Sequence, residues 1–196
     1  VGTFPCAISI APDGSAAYVT NRTSNNVSII DLATFEVTNV AVGTFACDVM
    51  VSPDSHWAIV TNRMSGNVTI IDTATRLVVA TVATGTNPQG VDFSADSSKA
   101  YVTNASTTSV IDMGSLTVIE TIASLPSGTG AGGATMDINQ GDQGRVYVAS
   151  NTQSGVVNVV DVGTNEIVES FQSVYVRWES GYEHGLSKRE PGPLVT

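Results

Sequence analysis

The chain is short of charge, and of positive charge above all. Only 13% of its 196 residues are charged, with 8 Lys and Arg against 18 Asp and Glu, so the formal net charge is -10. A sequence-independent grip on nucleic-acid phosphates needs a basic surface, and this composition cannot build one. Three of the basic residues (Arg177, Lys188 and Arg189) fall in the last twenty positions, which leaves the rest of the chain more acidic still. Histidine is scarcer again. His56 and His184 are the only two, and no Cys or His spacing matches a zinc site. There is no G-x-S-x-G elbow, and nothing ties either histidine to a particular Ser or Cys. No catalytic residue, metal or cofactor is therefore expected. No apolar run reaches the roughly 18 residues of a membrane span, and no charged-then-apolar signal segment opens the chain.

What is present is repetition. Tyr18-Val19-Thr20-Asn21 returns as Ile59-Val60-Thr61-Asn62, as Tyr101-Val102-Thr103-Asn104 and, loosely, as Tyr147-Val148-Ala149-Ser150-Asn151. The intervals are 41, 42 and 46 residues, within the range of a four-stranded propeller blade. A longer unit recurs around the tetrapeptide: a Gly-Thr-Phe or Gly-Thr-Asn opening, a Pro-Asp-Gly-type turn, the tetrapeptide, then a run such as Val27-Ser28-Ile29-Ile30-Asp31. Ser, Thr, Asn and Gly fill the spaces between apolar runs, which suits sheets and turns rather than helices.

Alternation and punctuation place four strands in the first unit. Residues 6–11 end at the turn Pro12-Asp13-Gly14, residues 16–21 and 26–31 flank a polar loop, and residues 36–41 close the blade. Asp31, Asp72, Asp112 and Asp161 sit where a strand enters a turn, each followed three residues later by Thr or Ser. Carboxylates there can fix the turn by accepting N–H or hydroxyl hydrogen bonds, and Asp13, Asp54 and Asp96 suit the same duty at the other turn. Spaced one per blade, they stand too far apart to share a metal.

With Tyr-Val-Thr-Asn, the preceding Pro-Asp-Gly-type turn and the following V-x-I-I-D, the chain resembles the YVTN β-propeller repeat family of surface-layer and secreted proteins. The resemblance covers residues 1 to about 174 and is weakest in the fourth unit, which lacks Pro-Asp-Gly and carries an insertion. It implies a toroid of radial blades but no single activity, since related propellers serve as adhesion modules, lactonase-like hydrolases and cofactor-bearing dehydrogenase subunits. The fold expected is all-β: a propeller array with blades at about 1–41, 42–83, 84–124 and 125–174, and a non-repeat tail at 175–196. Such an array could be a closed four-bladed ring, half of an eight-bladed dimer or an arc of a larger ring. Val1-Gly2-Thr3-Phe4 matches Val42-Gly43-Thr44-Phe45, so the chain opens at a blade boundary, as a processed protein or an excised fragment would.

Other features need weighing. Gly128 to Gly133 satisfy G-x-G-x-x-G, yet a strand-like run follows where a phosphate cradle needs a helix N-terminus, and the segment reads as an inter-blade insertion. Cys6 and Cys47 occupy equivalent positions on neighbouring innermost strands, as buried thiols without chemistry, as a disulfide pair, or as a metal or reactive site. Asn21, Asn26, Asn67 and Asn104 match the glycosylation pattern, with Asn21 and Asn104 the expected acceptors at loop edges. Inter-blade loops and the loops between second and third strands open on one face, where Phe4, Cys6, Arg22, Phe45, Cys47, Arg63, Asn87 and Gln89 would ring a channel mouth. The phenylalanines there serve either ligand binding or blade packing. The reading is a non-catalytic extracellular or cell-surface module presenting this face to a protein or glycan, without nucleic acid or membrane span, and with a homodimer through open blade edges as one assembly. The rival reading is a fragment of a propeller enzyme.

Overall fold

The computed structural model describes residues 1–123, 136–137, 144–150 and 156–172; the glycine-rich run 128–133 and the tail 175–196 lie outside the described residues. The described chain forms four antiparallel four-stranded sheets, each with its strands in chain order. The first comprises β1 (Pro5–Ile10), β2 (Ala16–Asn21), β3 (Asn26–Asp31) and β4 (Val37–Ala41). The second comprises β5 (Ala46–Val51), β6 (Trp57–Asn62), β7 (Asn67–Asp72) and β8 (Leu77–Ala83). In the third are β9 (Val91–Phe93), β10 (Lys99–Thr103), β11 (Thr107–Asp112) and β12 (Thr117–Ala123), and in the fourth β13 (Met136–Asp137), β14 (Arg145–Ser150), β15 (Val156–Asp161) and β16 (Ile167–Gln172). This is the all-β blade architecture that the repeat implies.

The tetrapeptide explains itself once the blades are stacked. Successive side chains of a strand point to opposite faces, so Tyr and Thr share one face while Val and Asn share the other. Tyr18 packs with Val27 and Ile29 against Val49, Val51 and Val60 of the second blade. Ile59, Val68 and Ile70 meet Val91, Phe93 and Val102 of the third, and Tyr101 and Val110 meet Val146, Val148 and Val160 of the fourth. The first letter of the tetrapeptide thus buries itself on the following blade, and the second on the preceding one. Among the described residues, apolar cores join consecutive blades only. On the leading face of the first blade Ile8 and Ile10 are exposed, whereas Ala17 and Val19 beside them are buried.

Turns are fixed by the repeated carboxylates. Asp31, Asp72, Asp112 and Asp161 each accept the backbone N–H three residues ahead, from Thr34, Thr75, Ser115 and Thr164. Those bonds hold the Asp72, Asp112 and Asp161 carboxyls below the usual range. At the other turns Asp13 accepts Ser15 N–H, Asp54 accepts His56 N–H and Asp96 accepts Ser98 N–H. Where the first blade has Gly14 at φ 74°, the next two place Ser55 and Ser97 in the same left-handed region, at 62° and 61°. Each of those serines repays the strain by accepting a backbone N–H from the preceding blade, Ser55 from Asp13 and Ser97 from Asp54.

Candidate functional site

Each innermost strand of the first two blades begins with a β-bulge, at Pro5/Ile8 in β1 and Ala46/Val49 in β5. A bulge frees backbone groups from the ladder, and the threonine of the tetrapeptide takes them up. Thr20 Oγ1 accepts Ala7 N–H, Thr61 Oγ1 accepts Asp48 N–H and Thr103 Oγ1 accepts Gly90 N–H. The first two also donate across the blade boundary, Thr20 to the Cys47 carbonyl and Thr61 to the Gln89 carbonyl. These threonines are fully buried. They set the depth of each innermost strand, and with it the position of Cys6, Cys47 and Gln89. Asp48 adds a further stitch by accepting Val91 N–H from the third blade. Burial pushes its carboxyl up, and the N–H bonds from Val91 and Val49 partly offset this.

Asparagine, the last letter, locks the loops above. Nδ2 of Asn21 donates to Asn26 Oδ1 and Ser28 Oγ; Nδ2 of Asn62 donates to Asn67 Oδ1 and Thr69 Oγ1. Asn104 Nδ2 likewise reaches Thr107 and Ser109. The opening glycine of each of the first three units lies against this side chain: a Cβ on Gly43 would stand 2.7 Å from Asn62 Cβ, and one on Gly2 would stand 2.9 Å from Asn21 Cβ. Asn21 and Asn104 are therefore not the loop-edge glycosylation acceptors that the sequence pattern suggests. Both are buried, and their amide nitrogens are spent inside the blade with no space for a sugar.

The rim proper is where the inter-blade loop meets the loop between second and third strands. Arg22 N–H donates to the Phe4 carbonyl and Arg63 N–H to the Phe45 carbonyl. Asn25 Oδ1 accepts Phe45 N–H, which ties the first blade's loop to the second blade's entry. Phe4, Phe45 and Asn87 all stand in the left-handed region, with φ of 59°, 65° and 51°. Side chains larger than glycine rarely adopt it, and such strain collects at functional loops. Its effect here is to turn both rings out of the sheet. Neither ring belongs to an inter-blade apolar core.

Instead the rings and guanidiniums alternate. The Arg22 guanidinium lies 5.5 Å from the Phe4 centroid and 3.6 Å from the Phe45 centroid, and the Arg63 guanidinium lies 6.0 Å from Phe45. The order Phe4, Arg22, Phe45, Arg63 forms a continuous cation–π stack across two blades. The salt bridge among the described residues uses Arg76 and not these two arginines. Beneath them stand the thiols of Cys6, exposed, and Cys47, half-buried, both free of any disulfide. Burial and the neighbouring Cys6 push the Cys47 thiol up, with Arg22 and Arg63 opposing; a protonated thiol of this kind is a poor nucleophile. Gln89 joins the site through its carbonyl and Asn87 through its exposed, strained backbone, but no contact links either side chain to the stack. Among the described residues, no group of three or more His, Cys, Asp and Glu is arranged to hold a metal.

The stack could have been found from sequence only as paired Phe and Arg at repeat spacing. Its alternating order depends on the left-handed turns, which no composition signal reveals.

Comparison with known proteins agrees with the fold. Residues 3–117 match the model for YNCE-like beta-propellers. The solved structure of Kuenenia stuttgartiensis hydrazine synthase is 25% identical with a TM-score of 0.77, over 86% of this chain and 49% of that one. A functionally unknown protein from Desulfotomaculum acetoxidans is 18% identical with a TM-score of 0.70, over 86% of this chain and 56% of its own. The chain thus spans about half the length of these solved chains. No curated protein matches it. The family match supports a propeller without reaching the surface-layer type. With more than half of its length matched, and with four-stranded blades of the corresponding architecture, the chain belongs to the YNCE-like β-propeller family.

Proposed function

We propose that the chain is a non-catalytic binding module of the YVTN surface-layer kind, acting outside the cell, whose rim engages an anionic group on a protein or glycan partner. The observation that carries this reading is the Phe4–Arg22–Phe45–Arg63 stack. Stacking on a ring face leaves the edge N–H donors of a guanidinium pointing outward, where their planar fork matches a carboxylate or sulfate. In a chain of net charge -10, a pair of arginines without a carboxylate partner among the described residues is an attractive point for such a group. The blade scaffold below holds the loops that carry it, and rigidly mounted loops are where binding concentrates.

The test is binding of two probes, a sulfated glycan and an oligoglutamate peptide, to the wild type and to the Arg22→Ala/Arg63→Ala variant. Each lost charge-assisted contact costs about 1.5–3 kcal/mol, so affinity should fall by at least about a hundredfold. It should also weaken as salt rises. Unchanged binding by the variant sinks the reading. A second reading, a propeller portion of an enzyme, is favoured by one observation, the likeness to hydrazine synthase. It predicts that a catalytic ring is completed by blades or chains beyond the described residues, and that loss of the arginines leaves turnover of the complete assembly unchanged.

A further inference from the structure

The alternation of rings and guanidiniums at the rim stops one ring short. Arg22 stands between two rings, Phe4 of its own blade and Phe45 of the next. Arg63 has, among the described residues, one ring only, that of Phe45 in its own blade at 6.0 Å. The ring that the next blade would supply is missing, because the third unit opens Gly85-Thr86-Asn87 where the two before it open Gly-Thr-Phe.

The backbone for that ring is nevertheless in place. Asn87 has φ of 51°, in the left-handed region with Phe4 at 59° and Phe45 at 65°. The two blade junctions below are stitched alike, Thr20 donating to the Cys47 carbonyl over 3.2 Å and Thr61 to the Gln89 carbonyl over 2.9 Å. Position 87 therefore stands to Arg63 as Phe45 stands to Arg22. The third blade's own loop brings neither ring nor guanidinium to the place. Asn104 N–H donates to the Thr107 carbonyl in a turn two residues shorter than Asn21–Asn26 or Asn62–Asn67, and only Ala105 and Ser106 lie within it. Asn87 itself is exposed.

A guanidinium is planar and weakly hydrated, so its face takes an aromatic ring while its edge N–H groups still serve an anion. At the first junction the chain provides that ring. We infer that at the second junction the partner provides it: the rim takes an acidic peptide segment whose aromatic side chain stacks on Arg63 over Asn87, while a neighbouring carboxylate accepts from the guanidinium edge. This rests on the anionic reading of the rim given above and narrows the partner to a protein, since a peptide carries ring and carboxylate side by side and a glycan brings no aromatic ring.

The experiment measures binding of two oligoglutamate peptides of equal length, differing only in a central Phe or Leu, to the wild type, to Asn87→Phe and to Arg63→Lys. Leu matches the ring in apolar character, so a preference for Phe reports stacking. The wild type should prefer the Phe peptide by about threefold to tenfold, the worth of one cation–π contact at a partly exposed site. Asn87→Phe puts the chain's own ring on a backbone that already carries Phe at both equivalent positions, and the preference should vanish. Arg63→Lys keeps the charge without the planar face, so the preference should shrink there too; this variant carries the test if circular dichroism shows that Asn87→Phe does not fold. If neither peptide binds the wild type, the anionic reading of the rim fails and this inference with it. If both bind the wild type alike, the rim reading stands and the inference alone is overturned. A preference that survives in folded Asn87→Phe, or a sulfated glycan bound more tightly than either peptide, overturns it as well.

Discussion

The first and second blades carry closely similar second and third strands, and differ in what covers their first strands. Val49 and Val51 are core residues, while Ile8 and Ile10, larger and more apolar, are surface. Within each blade, by contrast, the same letters do the same work: Thr20 and Thr61 fill the bulge, and Asn21 and Asn62 clamp the opening glycine. The lesson is that a propeller repeat encodes two kinds of interaction. One is complete within a blade. The other is only half encoded and waits for a neighbour.

The sharpest way to break that comparison is to place a charge on the same face of each blade. Val51→Asp puts an unpaired carboxylate into a closed core and should cost about 4 kcal/mol or prevent folding. Ile10→Asp, measured in the monomer, should change stability by no more than about 0.5 kcal/mol. Equilibrium denaturation of both variants gives the answer, and equal losses would mean that the first blade's face is not free.

A smaller and opposite prediction concerns the glycines. Because the clamp lies inside the blade, Gly2→Ala and Gly43→Ala should destabilise alike, by about 2 kcal/mol each, as the new methyl meets the asparagine side chain. Gly14→Ala meets no atom within 4 Å, but its φ of 74° still strains a β-carbon, and the cost should be about 1 kcal/mol. A midpoint shift for Gly43→Ala but not for Gly2→Ala would show that blade context, rather than the local clamp, sets the penalty.

The gentlest probe is acid. The Arg76 guanidinium, with the N–H groups of Thr34 and Ala33, lowers the Asp31 carboxyl from 3.8 to about 2. A depressed folded pKa contributes stability that is present above the unfolded value and lost as pH falls through the folded one. Stability should therefore decline between about pH 4 and pH 2. The Arg76→Ala variant should show a shallower decline in that window, followed by denaturation midpoints at successive pH values. Asp72 has no arginine opposite, because its neighbouring blade offers Leu116, so Leu116→Ala should leave the acid profile unchanged.

Much of the fold was legible in the residues. The second and third strands of the first blade fall at 16–21 and 26–31 as alternation places them, while the first and last shift by one residue at their ends, where pairing rather than pattern decides. The turn carboxylates were legible too, because an Asp with Thr or Ser three residues on has few other local partners. Less of the rim could be read. Asn21 and Asn104 look like exposed acceptors because the motif records spacing and not burial. Phe4 and Phe45 look equally suited to packing or binding, and only the structure shows that both stand outside the apolar cores, on a left-handed backbone.

The sequence by itself determined the repeat, its strands and turns, and the net acidity, because periodicity and composition are properties of the chain alone. Only the tertiary structure decided which copies of an equivalent residue are buried, how the threonine bridges one blade to the next, and that Arg22 lies between two rings. Those outcomes depend on which neighbour a blade has, and a repeat written alike in each unit cannot say which unit stands at the end.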